Sequence, residues 1–170
     1  DLKAHEEHSG KKLQFFDHEE NKNYVPYVLE TSIGLDRMFL AVYSNSLQDE
    51  KLEDGSERTV LKLPAVLAPI KAAILPLLKK DGLPEIANEI IDELKWSIKV
   101  QYDEKDAIGR RYRRQDANGT PYCVTVDHDT KEDHAVTVRD RDTMTQERVA
   151  IKDLKNYLES RVSMSTWLRK

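Results

Sequence analysis

Apolar residues in the first part of the chain predict a strand, a turn and a helix. A strand is predicted for residues 24–31, since YVPYVLET is short and rich in β-branched and aromatic side chains. Gly34 interrupts this pattern, and from Leu35 onward the apolar residues recur at the spacing of one helix face. We expect this helix to end around residues 44–46, where the sequence is Ser-Asn-Ser.

The rest of the chain continues the alternation of strands and helices. Residues 63–70 (LPAVLAPI) are apolar enough for a buried strand. Pro84 opens a helix with an apolar face, in agreement with the preference of proline for the first helical turn, and residues 151–162 predict a closing amphipathic helix. Between these helices, strand-like alternation of side chains is found in three segments: 96–102, 122–126 and 134–138.

These elements indicate an α/β fold. The polar residues 127–133 suit a hairpin loop between the last two strands, whereas the other strands are separated by helices. The fold predicted from this pattern is a mixed, mostly parallel sheet flanked by helices. Residues 45–58 (NSLQDEKLEDGSER) are acidic and lack an apolar period, so we expect an exposed linker that divides the chain near residue 55.

Length and charge narrow the possible functions. The 170 residues suffice for one large or two small domains, and a chain that begins at Asp1 rather than Met is expected to be a fragment. No apolar run is long enough for a bilayer and no signal peptide is recognisable, so a soluble interior protein is predicted. The 27 basic residues are outnumbered by 31 acidic ones, which excludes a uniformly basic surface. Any site for RNA must be a local patch.

Several kinds of chemistry find no support in the sequence. Cys123 is the single cysteine, which rules out an internal disulfide, and its apolar surroundings predict a small core residue. His5 and His8 have no further ligand pattern near them, so solvated histidines are expected and no metal site is predicted. Neither a catalytic triad nor a glycine-rich phosphate loop is present.

The first candidate site covers residues 30–37 (ETSIGLDR). In an extended strand Glu30 and Ser32 face the same side, so that a carboxylate and a hydroxyl can meet one small ligand. Gly34 allows close approach of the backbone, and Arg37 falls in the first turn of the next helix, where anions are favoured. This arrangement suits an ammonium group beside a phosphate. The alternative is a surface strand end with solvated charges.

Two arginine-rich segments are candidates for RNA binding. Residues 108–116 (IGRRYRRQD) contain four arginines and Tyr112, which offers a stacking face for a base. A charged helix face with local ion pairs explains this run equally well. Residues 138–142 (VRDRD) place two arginines on one side of a strand end, where they either contact RNA or form cross-strand ion pairs. The RNA candidates are thus Arg110, Arg111, Tyr112, Arg113, Arg114, Arg139 and Arg141.

Taken together, these segments resemble the glycyl-tRNA synthetases of the homodimeric, class II type. The resemblance is carried by DLKAHEEHSGKKLQFFD at the start of the chain, by VPYVLETSIGLDR, and by IGRRYRRQDANGTPYCVTVDHDT followed by VTVRDRDTMTQERV. Each stretch is distinctive, and their order and spacing match over almost the whole chain. The family often has proline at the position of Thr31, which would fix the backbone there.

The resemblance implies a division of the chain. Residues 1–50 are similar to the end of the class II catalytic domain, with the third signature motif at 28–37. Residues 51–60 are expected to be an acidic linker, and residues 61–170 are similar to an anticodon-binding domain with a mixed sheet. By the same resemblance, glycine is bound by Glu30, Thr31, Ser32, Ile33 and Gly34, and ATP by Gly34, Leu35, Asp36 and Arg37.

The implied activity is that of a glycine–tRNA ligase, which activates glycine with ATP and transfers it to tRNA(Gly). The first two class II motifs are missing, so no complete catalytic set is expected and the fragment alone is predicted to be inactive. Magnesium, a homodimer and a cytoplasmic location belong to the full enzyme, and neither DNA nor a membrane is expected as a partner. The alternative is a free-standing RNA-binding or regulatory module that reuses the anticodon-binding fold.

Overall fold

A computed structural model describes residues 1–52 and 54–169 of the chain. It divides into two compact units, Asp1–Met38 and Phe39–Lys170.

The first unit contains little regular structure. It has the helix α1 (Leu2–Ser9) and two short strands, β1 (Phe15–Asp17) and β2 (Lys22–Tyr24), which pair antiparallel. None of its residues, all of which the structure describes, is buried. The predicted strand at 24–31 is wrong, since only its first residue lies in β2. The apolar side chains of that segment have no core to pack on, and a strand without a neighbour has no ladder of hydrogen bonds.

The helix predicted from Leu35 is confirmed. It is α2 (Leu35–Ser46), and it contains the boundary between the two units. Its apolar side chains are largely exposed, among them Leu35, which is 83% exposed, and Phe39, which stacks on Tyr43 with ring centroids 5.8 Å apart.

The segment predicted as an exposed linker forms a hairpin instead. Strands β3 (Leu47–Lys51) and β4 (Glu57–Leu61) pair antiparallel in register, with Gly55 at positive φ in the turn. Its acidic side chains are matched by basic ones across the strands, for example Glu50 opposite Arg58. The charge-rich sequence therefore forms a β-hairpin, and Val60 of this hairpin is fully buried.

The second unit is built on a five-stranded sheet with the order β6-β5-β7-β8-β9. β5 pairs parallel with both β6 and β7, whereas β8 pairs antiparallel with both β7 and β9. The predicted mixed sheet is confirmed, with equal numbers of parallel and antiparallel pairs rather than mostly parallel ones. The strands are β5 (Ala72–Pro76), β6 (Val100–Tyr102), β7 (Tyr122–Val126), β8 (Ala135–Asp140) and β9 (Gln146–Ala150).

Helices cover both faces of this sheet. The larger core, which includes Val124 and Val136, packs against α3 (Leu83–Leu94) and α6 (Ile151–Val162). On the opposite face Cys123 packs with residues of α4 (Ile108–Asn118). The remaining helices are short: α5 (Thr130–Asp133) and α7 (Met164–Trp167).

The predicted positions of strands agree with the structure where the apolar pattern is local. The strand at 122–126 and the helix at 151–162 are confirmed to the residue, and β8 begins one residue after the predicted start. The buried strand expected at 63–70 is wrong. Pro64 and Pro69 lack the N–H that a central strand needs, so the chain turns there and the strand begins at Ala72.

Candidate nucleic-acid interface

The basic run at 108–116 folds as the helix α4. Gly119 terminates it in a left-handed conformation with φ 80°, and its N–H bonds back to the carbonyls of Gln115 and Asp116. A Cβ at Gly119 would lie only 3.1 Å from the carbonyl oxygen of Leu61, so the close approach of β4 also requires glycine here. Helix α4 is thereby fixed between the sheet and the β3–β4 hairpin.

Arg111 is an internal residue of this arrangement. It is 2% exposed, and its guanidinium donates to the carbonyl oxygens of Pro76 at 2.6 Å, Leu77 at 3.2 Å and Asp103 at 3.2 Å. These contacts join α4 to the carboxyl end of β5. The side chain therefore satisfies backbone carbonyls rather than facing solvent.

The other arginines of the run differ in their surroundings. Arg114 forms ion pairs with Asp103 at 2.6 Å and Asp106 at 2.5 Å, and the Asp103 bond is the first cause that raises its pKa above the ordinary value. Arg113 is half-buried and donates to Ser56 Oγ at 3.3 Å. Arg110 is exposed, and no ion pair or hydrogen bond of its side chain is found among the described residues.

Arg139 takes part in a buried ion-pair network centred on Asp116. The carboxylate of Asp116 is completely buried and accepts two bonds from Arg139, at 2.7 and 3.0 Å. It also accepts one from Arg58 at 3.0 Å, and Arg58 in turn binds Glu50. This network joins α4, β8 and the β3–β4 hairpin.

Arg141 ties loops together in a similar way. It is 2% exposed and donates to the carbonyl oxygens of Leu61 and Gly119 at 2.9 Å and to that of Leu63 at 2.8 Å. It also pairs with Asp142. Arg111, Arg139 and Arg141 thus bind groups within the fold and connect its elements. The contact of these three residues with RNA stays a prediction.

A recess lies on the sheet face that packs against α4. Ile108 and Tyr112 pack over Cys123 on this face. Thr125 on β7 and Thr137 on β8 lie directly opposite each other there. A recess of about 270 Å³ is lined by Leu77, Ile108, Tyr112, Thr125, Asp127, Thr137 and Gln146.

The recess combines apolar walls with hydrogen-bonding groups. The hydroxyl of Tyr112 lies 2.7 Å from Thr125 Oγ1, and that of Thr137 donates to Asp127 at 3.2 Å. Gln146 is exposed, and among the described residues its side-chain amide makes no hydrogen bond. One free amide therefore projects beside a ring and two paired hydroxyls.

Charges at the edge of the recess are balanced within the protein. Arg148 pairs with Asp127 and with Asp133 and donates to Thr137 Oγ1 at 3.0 Å. Partial burial works to raise the pKa of Asp127, but hydrogen bonds from Arg148 and Thr130 outweigh it and lower the pKa. Both carboxylates stay ionised, and Arg148 is held beside the opening.

Tyr112 was a candidate from the sequence, whereas Thr125, Asp127, Thr137 and Gln146 of the recess were not. The signal that could have found the two threonines is the alternation in the segments YCVTV and AVTV. In each, valines alternate with threonines, so Thr125 and Thr137 must lie on the face opposite the valine core. The buried Cys123 is confirmed as a core residue, and burial raises the pKa of its thiol to about 12.

The residues proposed for glycine and ATP lie in the first unit. The segment 30–34 has no regular structure and is exposed along its length. Leu35, Asp36 and Arg37 occupy the first turn of α2 as expected, and they too are exposed. The side chain of Arg37 lies over Gly34, where an added Cβ would contact its Cγ and Cδ at 3.8 Å.

The part of the chain that the structure describes contains neither a metal-binding cluster nor a membrane-spanning helix. No group of three or more His, Cys, Asp or Glu side chains is placed to hold a metal ion within residues 1–52 and 54–169. Over the same residues, no helix combines the length and the apolar character needed to cross a membrane.

Comparison with known proteins identifies the fold built on this sheet. A family model described as "Anticodon binding domain" matches residues 71–161, which include all five strands and the main helices. The chain belongs to the anticodon-binding domain family. The mixed sheet with α4 on one face is therefore the anticodon-binding domain expected from the sequence.

Curated relatives extend the similarity beyond the anticodon-binding domain. The chain is 50% identical over 162 residues to a glycine–tRNA ligase of Clostridium acetobutylicum, a match that covers 95% of this chain and 35% of the ligase. It is 51% identical over 160 residues to that of Clostridium beijerinckii, covering 94% and 34%. The chain thus spans about a third of the length of these relatives.

Solved structures support the fold. The RNA binding domain of threonyl-tRNA synthetase from Cryptosporidium parvum superposes with a TM-score of 0.54 and 26% identity, covering 59% of this chain and 26% of that one. A prolyl-tRNA synthetase from the same organism, complexed with halofuginone and AMPPNP, gives a TM-score of 0.55 at 20% identity, covering 71% and 32%. At that identity the second similarity establishes the fold alone.

Proposed function

We propose that this chain supplies the anticodon-recognition part of a glycine–tRNA ligase. The proposal is supported by the anticodon-binding domain at residues 71–161 and by the 50% identity to a ligase of that name. The observation that carries the binding chemistry is the recess on the sheet face beside α4. The partner is tRNA(Gly), and its single-stranded anticodon loop binds in this recess.

The recess suits an unstacked base of such a loop. Sequence-specific binding of RNA relies on splayed bases that stack on side chains and form hydrogen bonds along their edges. Its volume of about 270 Å³ lies just below the range of roughly 300–1,000 Å³ that is usual for drug-sized ligands. Tyr112 and Ile108 supply the apolar wall, and the Gln146 amide supplies a donor and an acceptor.

The arginines proposed for RNA take different roles in this scheme. Arg110 is exposed on α4 and contacts phosphate, which positions the loop without reading its sequence. Arg113 and Arg114 are partly exposed and contribute charge at the same helix. The buried Arg111, Arg139 and Arg141 shape the domain on which the loop rests.

The first unit belongs to the glycine and ATP site of the same enzyme. Glycine is bound by Glu30, Thr31, Ser32, Ile33 and Gly34, and ATP by Gly34, Leu35, Asp36 and Arg37. The exposure of all these side chains agrees with a surface that other parts of a ligase cover. ATP with magnesium, a homodimer and a cytoplasmic location are parts of the same proposal.

Titration of the 170-residue chain with RNA tests the proposal. Its affinity is measured by fluorescence anisotropy for a stem-loop with a glycine anticodon and for the same stem-loop with another anticodon. We expect preferential binding of the glycine anticodon. Tight binding without any preference would favour the free-standing RNA-binding module, and no binding of either stem-loop would overturn the proposal.

The ligase part is tested separately on the longer natural protein that contains this segment. We expect glycine-dependent exchange of pyrophosphate into ATP by that protein and none by the 170-residue chain. Exchange by the 170-residue chain alone would contradict the assignment of an incomplete site.

A further inference from the structure

Among the described residues that line the recess, Tyr112 is the one with an aromatic side chain. It is half-buried in α4, and its hydroxyl lies 2.7 Å from Thr125 Oγ1. Burial is the main cause that raises the pKa of Tyr112, so the hydroxyl stays protonated at neutral pH. A protonated hydroxyl both donates and accepts, so after bonding to Thr125 it retains capacity for one more partner in the recess.

Arg139 packs against one face of the Tyr112 ring and fixes the position of the ring. The guanidinium carbon of Arg139 lies 4.9 Å from the centroid of the Tyr112 ring, which is the geometry of a cation–π contact. Arg139 is 6% exposed, so this face of the ring is closed to RNA. The Tyr112 side chain lines the recess together with Thr125 and Thr137.

Arg139 is itself held by Asp116. The fork of two hydrogen bonds, at 2.7 and 3.0 Å, fixes both the position and the plane of the guanidinium. Asp116 and Tyr112 are four residues apart on α4, and residues at that spacing lie on the same helix face. One helix thus provides both the carboxylate that holds Arg139 and the ring that Arg139 supports.

We infer that Tyr112 is a specificity-determining residue for the base that enters the recess, and that Arg139 and Asp116 are positioning residues that hold it in place. This inference rests on the proposed function. It gives Arg139 an indirect role in RNA recognition, through the shape of the recess. In this role Arg139 supports the tyrosine ring and does not contact phosphate.

The test compares two substitutions in the 170-residue chain, Tyr112→Phe and Arg139→Lys. The first keeps the ring and removes the hydroxyl, and the second keeps a charge but loses the planar fork. The affinities for the glycine-anticodon stem-loop and the altered stem-loop are measured at several salt concentrations. Thermal unfolding is followed for each variant, and Arg110→Ala serves as the comparison.

We expect Tyr112→Phe to lower the anticodon preference by about 2- to 12-fold, which corresponds to one hydrogen bond. Arg139→Lys should lower the preference as well, because the tyrosine ring loses its planar support. The salt dependence of binding should remain as in the unaltered chain, because no phosphate contact is removed. Arg110→Ala should instead reduce the salt slope by about one and retain the preference.

Two outcomes would overturn the inference while leaving the proposed function intact. One is an unchanged anticodon preference in Tyr112→Phe. The other is an Arg139→Lys variant that folds, keeps the preference and has an altered salt slope, which would make Arg139 a phosphate contact. If Arg139→Lys does not fold, Tyr112→Phe and Thr125→Val decide the matter. Absence of any preference in the unaltered chain would overturn both proposals.

Discussion

Arg58 and Asp116, which are 58 residues apart in sequence, form a buried ion pair with a distance of 3.0 Å. The side chains of both are nearly inaccessible to solvent, at 2% and 0% exposure. Arg58 lies in the β3–β4 hairpin and Asp116 in α4. The charges that make the hairpin sequence resemble a linker are therefore the groups that attach it to the domain.

Asp116→Asn should destabilise the domain strongly. The substitution leaves Arg139 without its carboxylate partner and weakens the hold on Arg58, and an uncompensated buried charge typically costs about 3–5 kcal/mol. Chemical denaturation followed by circular dichroism measures the free energy of unfolding. Asp106→Asn, which removes an exposed partner of Arg114, is the control and should cost less than about 1 kcal/mol. Equal effects of the two substitutions would contradict a central role for Asp116.

Arg110 and Arg111 are adjacent in sequence and are expected to behave oppositely. Arg111→Ala leaves buried carbonyl oxygens without donors, so it should lower the free energy of unfolding by about 1–3 kcal/mol. Arg110→Ala should change stability by less than about 0.5 kcal/mol and should weaken binding of RNA at low salt. Denaturation and RNA titration of both variants check this, with the exposed Lys152→Ala as a neutral control. A stable Arg111→Ala variant would contradict the structural role.

The sequence allows prediction of those elements whose apolar pattern is complete within a few residues. The helix at 151–162 and the strand at 122–126 are of this kind, because their buried side chains follow the period of a helix or fill a strand enclosed on both faces. The strand expected at 24–31 has a suitable local pattern as well. It does not form because no neighbouring strand is available to it within residues 1–52 and 54–169.

The role of the arginine run could not be read from its sequence for a similar reason. Arginines that bind phosphate and arginines that bind carbonyls have the same side chain. Arg111 lies on the side of α4 that faces the end of β5, whereas Arg110 is exposed. Which side of the helix faces β5 depends on how the helix packs on the sheet. The threonines of the recess were accessible to sequence analysis through strand alternation, whereas Gln146 joins them only through the register of β9.

Two glycines of the α4 region should respond in opposite directions to alanine. Gly119→Ala places a Cβ 3.1 Å from Leu61 at a φ of +80°, so a loss of more than about 1 kcal/mol is expected. Gly109 lies within the helix and has open space around the added Cβ, so Gly109→Ala should stabilise by about 0.5–1 kcal/mol. Thermal denaturation of the two variants provides the measurement. An unchanged stability of Gly119→Ala would contradict the close contact between β4 and this turn.

Acid should weaken the attachment of the hairpin. A hydrogen bond from Lys62, together with bonds from Arg58, lowers the pKa of Glu50 below its ordinary value of 4.5. A carboxyl group whose pKa is lowered by folding stabilises the folded state above the ordinary pKa, and this contribution is lost as the pH falls through the lowered value. Glu50→Gln should therefore be less stable than the unaltered chain at pH 7. The difference in melting temperature between the two should shrink progressively below pH 4.5. A difference that is constant with pH would contradict the ion pair.

Gln146→Ala tests the recess at its free amide. The side chain is exposed, so its removal should change the free energy of unfolding by less than about 0.5 kcal/mol. If the amide bonds to the base in the recess, the affinity for the glycine-anticodon stem-loop should fall by about 0.5–1.5 kcal/mol, which is roughly 2- to 12-fold. Because the amide carries no charge, the slope of affinity against salt should not change, which distinguishes it from Arg110→Ala. Gln146→Glu should weaken binding further than alanine, since a carboxylate has no donor and is repelled by phosphate. Full affinity of both Gln146 variants for the stem-loop would contradict the binding of a base in this recess.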